Sequence, residues 1–263
     1  MASAGVGEPP KKKRRLPRLD DSFDEPKRPS DSPELHQGRT RAAPHVRGQW
    51  ASHVYLELTP SAGLRKVLRK SYEAAVDSAA PTGAAIHSLL PDASTLPRAA
   101  DGAGGNDDAL HLSLSRPLML LTNQRDDLRK AVARIADRFE ARYASFGVLE
   151  NDEKTRRFLG VEVGQGYAEL LALVRDLDKA LAELRLPAYY PEPRFHASLA
   201  WTTTTSASVD VDPTLLLPFA DQTLDDLDAS LGPHLRKEGQ VWVGELCVKI
   251  GKEVSRFRLS KSR

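Results

Sequence analysis

The feature that most constrains this sequence is a duplicated four-residue pattern set in alternating runs. His, an apolar residue, Ser and Leu occur at 111–114 (HLSL) and again at 196–199 (HASL). Around the first copy, Leu110, Leu112 and Leu114 alternate with His111, Ser113 and Ser115. Around the second, Phe195, Ala197, Leu199 and Trp201 alternate with His196, Ser198 and Ala200. Period-2 alternation is the signature of a half-buried strand, so each copy places its His and Ser side by side on one face while the apolar residues anchor the other. A single His on such a face commonly satisfies a hydrogen bond and does nothing more. Two copies on two well-anchored strands point instead to a displayed pair of polar pairs.

The rest of the chain alternates between the same two periods. HVYLEL, with Val54, Leu56 and Leu58 against His53, Tyr55 and Glu57, reads as the first strand, and Leu64, Val67, Leu68 and Tyr72 follow at helical spacing. Residues 79–108 are rich in Ala, Pro, Gly, Ser and Asp and read as a low-complexity loop or insertion. Beyond the first HxSL strand, Leu128, Val132, Ile135 and Phe139 suggest a helix; ASFGVLE and RFLGVEV suggest two strands joined by the polar turn NDEKTR. Leu170, Val174, Leu177, Leu181 and Leu184 mark a second long helix that stops before Pro187. A short helix near 221–231 and the strands QVWVGELCVKI and VSRFRL complete the chain. Segregated strands and helices in this order predict an α+β protein with antiparallel pairing, and the similar setting of the two histidine strands predicts two similar lobes facing one cleft.

Composition narrows the classes. The longest apolar runs, such as LMLL at 118–121, fall far short of the roughly 20 residues that span a bilayer, so no membrane role is expected. The single cysteine, Cys247, excludes an internal disulfide and offers no cysteine pair for zinc, which suits a reducing compartment. Residues 1–46 read as a disordered tail whose basic run Lys11, Lys12, Lys13, Arg14 and Arg15 is of the kind an import receptor or an RNA backbone would read. Residues 47–263 read as one two-lobed domain.

Two histidines suit a transphosphorylation, because an ordinary pKa near 6.5 lets one be neutral while the other is protonated. The neutral imidazole would take a proton from a 2′-hydroxyl; the imidazolium would protonate the departing 5′-oxygen. The two serine hydroxyls would donate to the non-bridging phosphate oxygens. Such chemistry needs a nucleophile beside the phosphate, which RNA has and DNA lacks. A metal site would want a third ligand, and Asp107, Asp108 and Glu192 have no ligand-like spacing to the histidines. No G-x-S-x-G elbow and no phosphate loop followed by a helix are present.

Together, RGQWASHVYLEL, HLSLSRP, NDEKTRRFLGVEV, YYPEPRFHASLAW and ELCVKIG resemble the U6 small nuclear RNA phosphodiesterase family of the 2H phosphoesterase superfamily, from about residue 47 to the C-terminus. The resemblance implies a two-lobed, pseudo-symmetric α+β fold, with antiparallel sheets and flanking helices around a central cleft. It implies a metal- and cofactor-independent 3′–5′ exoribonuclease that trims the uridine-rich 3′ end of U6 RNA and leaves a 2′,3′-cyclic phosphate or a 3′ phosphate. By motif match His111 is the general base, His196 the general acid, and Ser113 and Ser198 hold the phosphate. Tyr190 matches a base-stacking position and Asp152 a uridine contact. A nuclear monomer acting on RNA, with no membrane or DNA partner, is the implied setting. The competing readings are a cyclic phosphodiesterase of transfer RNA ends, a non-catalytic RNA-binding module and a serine hydrolase of small esters.

Overall fold

The alternating segments become neighbours in antiparallel sheet structure. The computed structural model describes residues 46–90, 109–135, 139–204 and 218–259. Its elements run β1 (Gln49–Leu58), α1 (Ala62–Ala79), β2 (His87–Ser88), β3 (Leu110–Ser113), β4 (Leu118–Leu121), α2 (Gln124–Val132), β5 (Phe139–Glu150) and β6 (Arg156–Gln165). They continue with α3 (Tyr167–Glu183), β7 (His196–Thr203), α4 (Asp221–Ser230), α5 (Gly232–Glu238), β8 (Gln240–Val243), β9 (Glu245–Ile250) and β10 (Glu253–Arg258).

The strands pair in the order β10-β9-β1-β3-β7-β6-β5-β8, with β4 also on β1 and β2 also on β7. The order is symmetric about its middle. Going outward, one half reads β3-β1-β9-β10 and the other β7-β6-β5-β8, so the two histidine strands stand back to back at the centre. The two lobes expected from the sequence are these halves, joined through β3 and β7 into one strand order. Leu112 pairs with Ala197 at the join.

The apolar faces account for the anchoring. Val54, Leu56, Leu58, Leu112, Leu114, Leu199 and Ala197 are fully buried in one core with the helix stripes Leu64, Leu68 of α1 and Leu170, Leu177, Leu181 of α3. Burying each such side chain is worth about 1.5–3 kcal/mol, which fixes the register of both histidine strands because a one-residue slip would turn the leucines to solvent. Helix α1 begins where the Ser61 side chain accepts from the Leu64 backbone N–H at 3.0 Å. Helices α1, α4 and α5 pack together, as do α2 and α3.

Several expectations are corrected. Phe139 does not extend the α2 stripe: the helix ends at Val132, and Phe139 opens β5, where it pairs with Val243 on β8. QVWVGELCVKI is two strands, β8 and β9, interrupted at Gly244. LMLL, to which the spacing assigns no element, is the strand β4, paired with β1. Ser115 and Ala200, expected on the polar faces, are buried. Ser115 leaves the alternation because its Oγ accepts from the Val54 backbone N–H at 2.9 Å. Ala200 does so because the β6–β7 register shifts beside it, between Leu159 and Gly160. The start of the expected 79–108 loop contains a helical turn at Ala80–Thr82 and β2, whose His87 pairs with Trp201. Residues 91–108 and the basic run at 11–15 lie outside the described residues.

Candidate active site

Register assembles the motif residues. Leu112 faces Ala197 across an antiparallel pair on the core side. One step to either side therefore stand Ser113 beside His196 and His111 beside Ser198, on the opposite face of the sheet. Directly opposed residues have Cβ atoms about 4.5–5.5 Å apart. The quartet is thus crossed: each histidine neighbours the serine of the other motif.

A cavity of about 560 Å³ opens on this face, within the range of roughly 300–1,000 Å³ typical of small-ligand sites. Ser113, His196, Ser198, Tyr190 and Asp152 all line it. His111 is not among its lining residues. It sits two residues from Ser113 on the same strand face, exposed, opposite Glu57 of β1 and with its ring 4.8 Å from that of Tyr55.

The two motif histidines are tuned alike. His196 lies below its ordinary pKa because it is desolvated, opposed by its bond to the Arg194 carbonyl and by Glu162. Its Nδ1 is 2.7 Å from the Arg194 carbonyl oxygen, an atom that can only accept, so Nδ1 carries the hydrogen and Nε2 is left for proton transfer. His111 also lies below its ordinary value through desolvation, opposed by Glu57 and reinforced by Lys249. The Glu57 carboxylate is itself held by Arg256 at 3.2 Å and by the Tyr55 hydroxyl, which donates at 3.2 Å. Cys247, the partner of Tyr55 on β9, is fully buried, and burial pushes its thiol up to about 12, so it offers no thiolate.

At the rim, Tyr190 is 39% exposed and its hydroxyl donates to Asp152 Oδ1 at 3.0 Å. Arg116 donates to Asp152 Oδ2 at 2.6 Å and lies 4.8 Å from the centre of the Tyr190 ring. Both oxygens of Asp152 are therefore engaged in holding Tyr190 and Arg116. The neighbouring Tyr189 is buried, stacks on Phe195 at 6.1 Å, and donates from its hydroxyl to the Ser113 carbonyl at 3.1 Å. Of the two tyrosines, Tyr189 ties the rim to β3 and Tyr190 is presented. Arg194, also in the lining, is paired with Glu162 and donates to the Val148 carbonyl at 3.1 Å.

Sequence reasoning missed three of these groups. Arg116 and Arg194 are single charges in polar segments, and no spacing marks them. His53 lines the cavity, and its Nε2 lies 3.1 Å from Ser113 Oγ. A signal for it existed: His53 shares the polar face of an alternating strand with Tyr55 and Glu57, as the motif histidines do with their serines. The arrangement offers two nitrogen bases on adjacent strands, two hydroxyl donors between them and an aromatic platform at the mouth. That set can move one proton on and one off a phosphate ester while donating to its oxygens. Among the described residues no group of three or more His, Cys, Asp or Glu is placed to hold a metal ion.

Comparison with known proteins supplies a lineage. The model of the HVSL family, an uncharacterised conserved protein, matches residues 16–258. The chain is 32% identical to the human protein named U6 snRNA phosphodiesterase 1 over 184 residues, 66% of this chain and 58% of that one. It is 30% identical to the Neurospora crassa protein of the same name over 264 residues, 88% of this chain and 69% of the relative. The chain thus spans little more than half the length of the human relative. Among solved structures, Kluyveromyces marxianus Usb1 with uridine monophosphate has a TM-score of 0.53 at 18% identity, covering 80% of this chain and 98% of that one. The shared fold is the two-lobed α+β architecture read from the sequence.

Proposed function

This chain belongs to the HVSL family and is a relative of the U6 snRNA phosphodiesterases, and from that premise we propose that it is a metal-independent 3′–5′ exoribonuclease of uridine-ended RNA. The observation that carries the reading is the crossed quartet, in which Ser113 stands beside His196 and His111 beside Ser198 across the β3–β7 pair. A phosphate seated between the two strands would meet a hydroxyl donor and an imidazole from each side. His111, whose desolvation is opposed by the carboxylate of Glu57, is the base that accepts the 2′-hydroxyl proton. His196, with Nδ1 committed to the Arg194 carbonyl, delivers a proton from Nε2 to the departing 5′-oxygen. The 2′-oxygen of the penultimate nucleotide forms a bond to phosphorus as the bond to the 5′-oxygen breaks, leaving a 2′,3′-cyclic phosphate on the new 3′ end of the shortened RNA, or a 3′ phosphate after water opens it, while the released nucleotide carries away a 5′-hydroxyl.

Tyr190 supports a terminal base by stacking, a contact worth roughly 1–3 kcal/mol, and Asp152 holds that ring in place while keeping lone pairs with which to accept from a uridine. The substrate proposed is the 3′ tail of U6 RNA, the substrate for which the relatives are named, with the nucleus as the place of action and a monomer as the active form. The test is incubation in EDTA with a uridine-tailed RNA and with a copy carrying one 2′-deoxy residue in the tail. The ribose tail shortens stepwise and the other stalls at the deoxy position, while His111→Ala and His196→Ala each lose about 100-fold or more in rate. Cutting through the deoxy position, or full activity of either variant, would sink the reading; complete loss in EDTA would remove the claim of metal independence.

A further inference from the structure

Ser113 has a protein partner that the two-histidine chemistry does not use. His53 stands on β1 with Nε2 3.1 Å from Ser113 Oγ. Its ring is stacked on Tyr55 at 5.3 Å and 12°, and Tyr55 in turn lies against His111 at 4.8 Å. The three rings form a column along the polar face of the sheet, and the backbone of β1 around them is paired on both sides, to β3 and to β9. His53 is therefore held in a fixed relation to Ser113.

A hydroxyl has one hydrogen and two lone pairs. If Ser113 spends its hydrogen on His53, it meets an anionic phosphate oxygen with lone pairs alone, and the contact is repulsive. If it accepts from an N–H of His53, its hydrogen is free for the phosphate. We propose that His53 is a positioning residue which presents Nε2–H to Ser113 Oγ and thereby obliges the Ser113 hydroxyl to donate to a non-bridging phosphate oxygen. The inference rests on the reading of Ser113 as a phosphate donor. Desolvation, with His111 and Lys249 nearby, holds His53 down at a pKa of about 4, so it is neutral at working pH and has one N–H to allocate. An anion bound beyond Ser113 favours allocating it to Nε2, since that orients both dipoles of the N–H···O–H chain toward the negative charge. The opposite polarity would make His53 the base of a nucleophilic serine, a role for which so weak a base is poorly matched.

The experiment compares the parent, His53→Leu, His53→Gln, Ser113→Ala and the double variant H53L/S113A on uridine-tailed RNA, with melting temperatures measured for each. Loss of one preorganised donor costs about 100-fold in kcat, which sets the expectation for S113A. H53L is expected to fall by about 10-fold in kcat with KM unchanged, since the serine survives but its hydrogen is no longer directed. H53Q, whose side-chain amide can still donate, keeps most of the parent's rate. The double variant matches S113A, because His53 has nothing left to orient; a merely structural loss would instead multiply. Parent-like activity of H53L, or multiplication of the two losses, overturns the proposal. Parent-like activity of S113A refutes the phosphate-donor reading itself and leaves the His53 geometry without a catalytic consequence. Should H53L fail to fold, H53Q against His53→Met reads the same difference.

Discussion

Desolvation lowers the pKa of both motif histidines, and this sets a pH prediction at the scale of the residue. The base must be neutral, so its limb rises with pH through its pKa; the acid must be protonated, so activity falls as pH rises through its own. Both values lie below the ordinary 6.5, so the bell of kcat/KM, which reports the free protein, is centred on the acid side of neutrality. A bound phosphodiester stabilises imidazolium, so the kcat profile lies to its alkaline side. Glu57 is the group that raises His111, so Glu57→Gln shifts the His111 limb further to acid. If that limb is the acidic one, His111 is the base; if the alkaline limb moves, the two histidines exchange roles. Profiles of kcat/KM for the parent and E57Q decide it.

At the scale of the element, the site depends on how closely β6 lets β7 approach. A Cβ on Gly160 would fall 2.9 Å from the Ala197 carbonyl oxygen, a backbone atom that cannot swing aside. Gly160 pairs with Ser198, next to the register shift in β6–β7. Gly160→Ala must therefore displace β7 just where it carries His196 and Ser198, and an error of about 1 Å in such a site can cost about 100-fold in rate. The expected outcome is a folded protein, judged by circular dichroism, with kcat down by that order. An unchanged kcat would mean that β7 absorbs the methyl without moving its polar face.

The same elements explain what could be read without coordinates. The leucines of HLSL and HASL dictate burial, and burial puts each motif's His and Ser on one face, so each pair was legible from alternation alone; the pairing of β3 with β7 at Leu112 and Ala197, which crosses the two pairs, was not. His53 was visible in the same way but lacked a serine two residues on to mark it. The end of α2 was not legible, because Phe139 continues a helical period and only its pairing with Val243 across the sheet decides for a strand. Arg116 and Arg194 came from long-range geometry that no local pattern encodes, and the shift beside Ala200 belongs to the meeting of two strands, not to either one.

For the whole molecule, the central join makes activity a property of the complete fold. Each half supplies one imidazole and one hydroxyl, and β3 and β7 share the join at Leu112 and Ala197. Urea titrations followed by residual activity and by tryptophan fluorescence from the buried Trp201 should therefore show coincident transitions; activity lost well before fluorescence would mean that the halves part before they melt. The strand order carries a further consequence for how the protein is made. β1, near the start of the described chain, is flanked in the sheet by β3 and by β9, and β9 leaves a ribosome well after both β3 and β7. The first half cannot close until β9 has emerged, and the histidines are brought together only after β7 has. An abandoned, half-made chain carries His111 without His196 and so holds only half of the quartet.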